Sequence, residues 1–424
     1  MKKALSILLA MGMTVGMVAG CGDTADNSSV ADNSAAASTE AGTDGTQAAA
    51  SAADIKVGVI YIGDENEGYT AAHMAGIDEM AANLGLSDDQ IIEKTTIPED
   101  ESCYDAAVDL ADQGCNIIFA TSFGHETYIL QAAQEYPDIQ FCHATGYQAA
   151  SSGLSNMHNY FDAIYEARYV SGVVAGMKLN EMIENGDITA DQAKIGYVGA
   201  FPYAEVISGF TSFYLGAKSV CESVTMEVQY TNSWADMTAE GEVANQLIAD
   251  NCVLISQHAD TTGAPSACET AGVPNVSYNG STASACPNTF LVSSKINWEP
   301  YFEYAINCVA AGNAIDTDWA GSLDTGSVEL TELGSSVAAG TQEAIDAAKA
   351  DLIAGKVHVF DITTFTVEGA ELSSFEADVD TDPDYTPDHE VVLDGYFHES
   401  DIQFRSAPYF NVQIDGINLL DTAF

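Results

Sequence analysis

The stretch that decides the fold is residues 55–84, which read IKVGVIYIG-DENEG-YTAAHMAGIDEMAANL. It begins with a continuous apolar run at 55–62, and a polar loop flanked by glycines leads from it into a segment with helical spacing at 70–84. Strands without polar alternation are typical of parallel sheets that helices cover on both faces. The stretch therefore predicts a β–loop–α unit whose strand ends in a polar loop.

The same unit recurs along the chain. Further strands are predicted at 116–122, 139–145, 194–199, 225–230, 253–257, 274–278 and 290–293, and helices at 104–113, 161–184, 207–218, 239–249, 298–311 and 340–355. This alternation is typical of α/β proteins with a doubly wound parallel sheet. Its two blocks predict two lobes: 54–158 with about 294–320, and 159–293 with about 321–360. Residues 361–424 form a C-terminal extension of uncertain structure, with turns or an acidic loop at 367–372 and 376–384.

The first residues have the pattern of an export signal. A basic start, Met1-Lys2-Lys3, precedes an apolar run and then Val18-Ala19-Gly20-Cys21. The run is too short to span a bilayer of about 30 Å, so residues 1–20 are predicted to be a signal peptide. The small residues before Cys21 favour lipidation of that cysteine, although a plain signal peptide with an incidental cysteine is the alternative. Residues 22–53, which contain no aromatic residue, are predicted to be a flexible linker.

Charge, motifs and cysteine spacing argue against several classes of function. The formal net charge of -51 disfavours nucleic acid and anionic lipid as partners, since both need basic patches. No nucleophile elbow, phosphate-binding loop or metal-binding motif is present, so we expect no catalysis, cofactor or metal. Eight cysteines follow Cys21 without zinc-like spacing; disulfides are permitted outside the cell, but their connectivity stays open.

Polar and aromatic residues concentrate where the predicted strands end. The candidate ligand contacts are Tyr69, Ser122, Phe123, Thr145, Asn232, Trp234, Asp236, Asp260 and Asn279. In open α/β sheets, ligands bind at the carboxyl ends of the strands. Aromatic faces and amide or carboxylate edges suit a flat, neutral ligand that forms hydrogen bonds. Packing remains the alternative role for Phe123, and helix capping remains the alternative for Asp260.

Several of these strand ends carry a family resemblance. The stretches are KVGVIYIG at 56–63, FATSFG at 119–124, HATGY at 143–147, YEARYVSG at 165–172, GYVG at 196–199, NSW at 232–234 and QHAD at 257–260. Their order and spacing, held from about 54 to 311, resemble the basic membrane protein (BMP) family of ABC-transporter substrate-binding lipoproteins, in particular the branch associated with purines, chiefly adenine.

The resemblance implies a type I periplasmic-binding fold: two lobes, three crossovers and a hinged cleft. It implies a nucleobase or nucleoside ligand that is passed to a membrane permease and its ATPase. Lys295 matches a lysine that contacts the ribose in the family's nucleoside binders. Thr145-Gly146 and Asn279 stand where those binders carry acidic residues, and this difference favours a free base.

The sequence thus predicts a monomeric lipoprotein, anchored through Cys21 to the extracytoplasmic face of the cell membrane, that captures a purine for import. A ligand-sensing surface lipoprotein on the same fold is the alternative. A surface hydrolase is disfavoured because no recognisable nucleophile or metal set is present.

Overall fold

The computed structural model describes residues 54–379, 386–400 and 405–420. The predicted signal peptide, Cys21 and the linker lie outside these described residues. Strands and helices are numbered below in chain order through both lobes.

The first lobe is built on a six-stranded parallel sheet. Its strands are β1 (Val57–Ile60), β2 (Ile91–Lys94), β3 (Ile117–Ala120), β4 (Gln140–Ala144), β5 (Met157–Asp162) and β11 (Asp318–Gly321), in the spatial order β2-β1-β3-β4-β5-β11. The helices of this lobe are α1 (Gly68–Leu84), α2 (Glu101–Asp112), α3 (Glu126–Glu135), the short α4 (Ala149–Ser152) and α9 (Glu299–Ala311). Apolar clusters cover both faces of the sheet, as continuous apolar strands require.

The second lobe has a seven-stranded sheet. Its strands are β6 (Lys194–Gly199), β7 (Thr225–Tyr230), β8 (Leu254–Gln257), β9 (Asn275–Tyr278), β10 (Phe290–Ile296), β12 (Val328–Leu330) and β17 (Ile417–Leu419), in the order β12-β10-β9-β8-β6-β7-β17. Only β12, which pairs with β10, runs antiparallel among these described strands. The helices are α5 (Ile164–Asn185), α6 (Ala204–Val220), α7 (Met237–Ala249), α8 (Gly263–Ala271) and α10 (Thr341–Ile353).

The chain passes between the two sheets at three places: from β5 to α5, from β10 to α9, and from β11 to β12. The predicted α/β class with two helix-covered, doubly wound lobes and three crossovers is therefore confirmed. Parallel sheets brought together in this way place the carboxyl ends of both sets of strands against one cleft.

Strand β5 was not predicted from the sequence, and neither were β2, β11, β12 and β17. A helix was predicted from residue 161, but residues Met157–Asp162 form β5 and the helix begins at Ile164. All six residues of β5 are buried, but its polar residues interrupt the apolar pattern from which a buried strand is predicted. His158 Nε2 bonds Gln140 Oε1 at 2.9 Å, and Asn159 Oδ1 accepts from the backbone N–H of Ala149 at 2.8 Å. These polar groups are tolerated inside the sheet because they are hydrogen-bonded.

The C-terminal extension belongs to the second lobe. Phe360, Phe397 and Phe410 join the same apolar cluster as the residues around β6 and β7. Two short antiparallel pairs, β13 (Glu376–Ala377) with β14 (His389–Glu390) and β15 (Val392–Leu393) with β16 (Tyr396–Phe397), precede β17, which lies beside β7. The described part of the extension is thus integral to this lobe.

Helices α5 and α6 cross with their backbones in contact. A Cβ atom on Gly216 would lie 2.0 Å from the backbone oxygen of Tyr169, and one on Gly172 would lie 2.0 Å from that of Phe213. Only glycine fits at such a crossing, so these residues set the distance between α5 and α6.

We expect Gly216→Ala to destabilise the protein by about 1–3 kcal/mol because the added methyl group overpacks this crossing. Gly241→Ala in α7 is the matched control, since its Cβ would meet nothing closer than 3.5 Å and alanine favours a helix by up to ~1 kcal/mol. Urea unfolding followed by circular dichroism measures both. Equal stability of the two variants would contradict the close crossing.

Candidate ligand-binding cleft

A cavity with an empty volume of about 640 Å³, its open mouth included, lies where the strand ends of the two lobes meet. The first lobe lines it with Gly63, Glu67 and Tyr69 after β1, Thr121, Ser122 and Phe123 after β3, and Thr145 after β4. The second lobe adds Glu205 after β6, Trp234 after β7, His258 and Asp260 after β8, and Tyr278 at the end of β9.

The two lobes touch across this cavity. The backbone N–H of Gly68, at the start of α1, donates to the backbone oxygen of Asp260 at 3.3 Å. The rings of Phe123 and Tyr203 lie 5.7 Å apart between centroids, one from each lobe. The structure therefore shows the cleft in a closed arrangement.

The first-lobe wall is held rigidly at the start of α1. Glu67 caps this helix: its carboxylate accepts from the backbone N–H groups of Tyr69 and Thr70 at 2.8 and 2.9 Å. The Tyr69 phenol donates to the backbone oxygen of Thr121 at 2.7 Å, and its ring packs edge-on against Trp298. Tyr69 thus presents a fixed aromatic surface whose hydroxyl is already paired.

Arg168 on α5 organises the second-lobe wall. Its guanidinium lies 3.6 Å from the centre of the Tyr278 ring and donates to the backbone oxygen of Gln257 at 2.7 Å and to His258 Nδ1 at 3.0 Å. Because Nδ1 accepts, the proton of the neutral imidazole must lie on Nε2, which donates to Glu205 at 3.2 Å. Burial and the charge of Arg168 lower the pKa of His258, which favours the neutral imidazole.

Asp260 is a half-buried acid that lines the cavity. Burial, together with the nearby Glu67 and Glu240, raises its pKa well above the ordinary value, against the effect of a hydrogen bond from Asn279. A protonated carboxyl group both donates and accepts. Beside it, the hydroxyl of Tyr278 is buried without a hydrogen-bond partner among the described residues. An unpaired buried hydroxyl at the edge of a cavity is a candidate hydrogen-bond partner for a ligand.

Thr145 occupies a strained backbone position at the cavity wall. Its φ of 67° lies in the left-handed region, which β-branched residues rarely adopt. The following residue, Gly146, is confined: a Cβ there would lie 2.3 Å from the carboxylate of Glu126. That carboxylate accepts from the backbone N–H groups of Tyr147 and Gln148 at 2.7 and 2.8 Å, which fixes the whole turn.

The structure brings most of the predicted contacts together. Tyr69, Ser122, Phe123, Thr145, Trp234 and Asp260 all line the cavity. Asn279 lies behind it and bonds Asp260. Whether any of them binds a ligand remains a prediction.

The remaining three candidates lie elsewhere. Asn232 is exposed in a turn and adopts a φ of 58°. Asp236 is the N-cap of α7, where its carboxylate accepts from two backbone N–H groups at 3.0 Å each. Lys295 pairs at 2.6 Å with Glu329 on β12, a partner that the sequence pattern did not reveal. None of these three residues lines the cavity, so its geometry does not support their predicted role as ligand contacts.

Several cavity residues were not predicted. Glu67, Glu205, His258 and Tyr278 line the cavity, and Arg168 lies directly behind it. The strand-end position could have identified Tyr278 and His258. Arg168 had no such signal because it comes from the middle of a helical sequence. Within the described residues, no set of histidine, cysteine and carboxylate side chains is placed to hold a metal ion, and no described helix has the length and hydrophobicity needed to cross a bilayer.

Residues 55–362 match the family described as ABC transporter substrate-binding protein PnrA-like, and the chain belongs to this Bmp family. A purine-binding protein of Brucella abortus is 32% identical over 252 residues, which cover 58% of this chain and 67% of the relative. A putative ABC transporter glucose-binding protein of Haloferax volcanii is 32% identical over 266 residues, which cover 61% of this chain and 64% of the relative. The chain thus spans about two thirds of the length of these relatives.

Solved structures support the fold. A solute-binding protein from Conexibacter woesei superimposes with a TM-score of 0.59 at 20% identity, over 72% of this chain and 98% of its own. Another from Aeropyrum pernix gives 0.60 at 16% identity, over 72% and 93%. The predicted type I periplasmic-binding fold is confirmed.

Glu240, in the first turn of α7, is a buried acid whose ionisation can be followed through the stability of the protein. Burial raises the pKa of Glu240 to about 7, although Thr261 donates to it from both its N–H and its hydroxyl. Asp236 and Asp260 lie close enough to influence it. An unfolded glutamate has a pKa of about 4.3, so between these values only the folded state keeps the proton.

We therefore expect the free energy of unfolding to fall as the pH rises from about 4.5 to 7, and to fall less in Glu240→Gln, which cannot ionise. Glu242→Gln, an exposed position on the same helix, is the control and should keep the wild-type slope. Urea titrations at several pH values measure this. An unchanged slope in Glu240→Gln would show that its carboxyl group is already ionised in the folded state.

Proposed function

We propose that this protein captures a purine nucleobase or nucleoside, with an adenine-like base favoured, outside the cytoplasm and delivers it to an ABC permease and its ATPase. The proposal rests mainly on the cavity between the two lobes. Its described lining residues include aromatic rings and carboxyl groups but no lysine or arginine. The family description and the purine-binding relative support the proposal.

The aromatic residues of the cavity suit a flat ring. Trp234 is half-buried and packs edge-on against Phe201 at 5.0 Å, which holds its indole in place at the cavity wall. Phe123 stands on the opposite lobe and is 41% exposed, so part of its ring is free to contact a ligand. Stacking on such rings is worth about 1–3 kcal/mol per base.

The polar groups favour an amino-bearing edge. A neutral Asp260 can accept from an exocyclic amino group and donate to a ring nitrogen at the same time. The carboxylate of Glu205, oriented by His258, is a further acceptor. A 6-oxo purine finds fewer donors among these groups, and a site with buried acceptors discriminates strongly against a partner that cannot donate.

The binding of adenine, hypoxanthine, guanine, adenosine and glucose to the purified protein, measured by calorimetry, tests this proposal. We expect adenine to bind more tightly than hypoxanthine. If all the purines bind more weakly than about 1 mM, near -4.1 kcal/mol, the proposal is wrong. Tight binding of glucose alone would assign the cavity to a sugar.

Trp234→Ala should weaken adenine binding by about 1–3 kcal/mol, because it removes a stacking face. Asp236→Ala is the matched control in the same loop: it removes a helix cap that is exposed to solvent and should leave the affinity unchanged. A loss below about half a kcal/mol in Trp234→Ala, on the same scale, would mean that this residue only packs the lobe.

We propose further that the protein works as a monomer held at the membrane by a lipid on Cys21. Incorporation of labelled fatty acid into the exported protein, and its loss in Cys21→Ala, measures this. An unlabelled wild-type protein would favour the plain signal peptide.

A further inference from the structure

A second cavity opens beside the first, on the side facing the C-terminal extension. Its empty volume is about 1,110 Å³, and both cavities are lined by Phe123, Thr145, Glu205 and Trp234. The two spaces are therefore neighbouring chambers, which we call the inner and the outer chamber.

The far wall of the outer chamber comes from the extension. Asp378, Arg405 and Pro408 line it, and all three lie beyond the region that matches the family, which ends at residue 362. This wall is the part of the cleft for which the family match carries no information.

The wall is fixed in position. The backbone N–H of Ser406 donates to Asp318 in the first-lobe sheet at 2.6 Å. The buried carboxylate of Glu399 accepts from the backbone N–H groups of Tyr409 and Phe410, at 3.3 and 2.8 Å. The ring of Phe410 stacks on Phe360, with centroids 4.2 Å apart. The wall is thus anchored in both lobes.

Arg405 is the cation of this chamber. Its guanidinium lies 5.1 Å from the centre of the Tyr147 ring. Its Nε and Nη2 donate to the backbone oxygens of Ala407 and Pro408, both at 3.3 Å. These bonds use Nε and Nη2, and the guanidinium lines the chamber.

The charges around Arg405 indicate the kind of group that fits. Asp378 and Glu399 both act on the guanidinium, and Glu205 lines the same chamber. One cation among three carboxyl groups gives no excess of positive charge for a phosphate. A mixed set of donors and acceptors beside the Tyr147 and Tyr203 rings suits hydroxyl groups on a ring, which both donate and accept.

We propose that the outer chamber is a subsite for a sugar, a pentose attached to the base, in which Arg405 donates to hydroxyl oxygens and Asp378 accepts from hydroxyl hydrogens. The inference rests on the proposed purine-binding function and deepens it. In this proposal the C-terminal extension contacts the sugar, and Lys295 does not, because it is paired with Glu329.

The affinities of adenine and adenosine for wild type, Arg405→Met and Asp378→Asn test the subsite. Methionine keeps an apolar stem against Tyr147, and asparagine keeps the shape of Asp378. In each variant we expect the ratio of the adenosine dissociation constant to that of adenine to rise about tenfold, which is about 1.4 kcal/mol. Lys356→Met removes an exposed cation from the same lobe and should leave the ratio unchanged.

The outcomes separate the two proposals. If wild type binds neither ligand, the proposed function is wrong. If wild type binds adenine but the ratio stays constant in both variants, the sugar subsite is wrong and the function stands. If Arg405→Met does not fold, as judged by circular dichroism and thermal unfolding, the isosteric Asp378→Asn decides alone.

Discussion

The buried guanidinium of Arg168 is the interaction on which the cleft depends. It stems from α5, directly after the first crossover, and is 1% exposed. A buried charge is tolerated only when it is paired or well hydrogen-bonded. Arg168 meets this need by stacking on Tyr278 and by donating to Gln257 and His258. The same contacts fix the tautomer of His258 and thereby orient Glu205. The crossover helix and the ligand-facing ends of β8 and β9 are thus locked together by one side chain.

The cavity avoids the strong field that its own carboxyl groups would create. The carboxylate of Glu67 caps α1, and the carboxylate of Glu205 accepts a hydrogen bond from His258. Burial, together with the neighbouring Glu67 and Glu240, raises the pKa of Asp260 and so favours its neutral form. A chain with a net charge of -51 can in this way present a hydrogen-bonding surface rather than a repulsive one. Such a surface suits the neutral ligand with N–H donors that we propose above.

How much could be predicted from sequence depended on whether the signal was local. The runs that became β6 and β7 were predicted with their observed bounds because they are short, apolar and bounded by polar turns. The strand-end rule found Trp234 and Asp260, since parallel topology alone sends such residues to the cleft. Lys295 was predicted from the family resemblance, but it pairs with Glu329 on an antiparallel strand that the pattern did not indicate. Arg405 was also beyond prediction, because it meets Tyr147 from far along the chain.

The pairing of β17 with β7 has a consequence for how the chain folds. Ile417 lies beside Met226, about 190 residues later in the chain. Until that late segment arrives, the β7 edge of the second sheet has unpaired backbone groups, and exposed edges of this kind promote aggregation. Closing so long a loop is also slow compared with forming local contacts. The chain must therefore bring its last described strand back across the second lobe before the β7 edge of this sheet is covered.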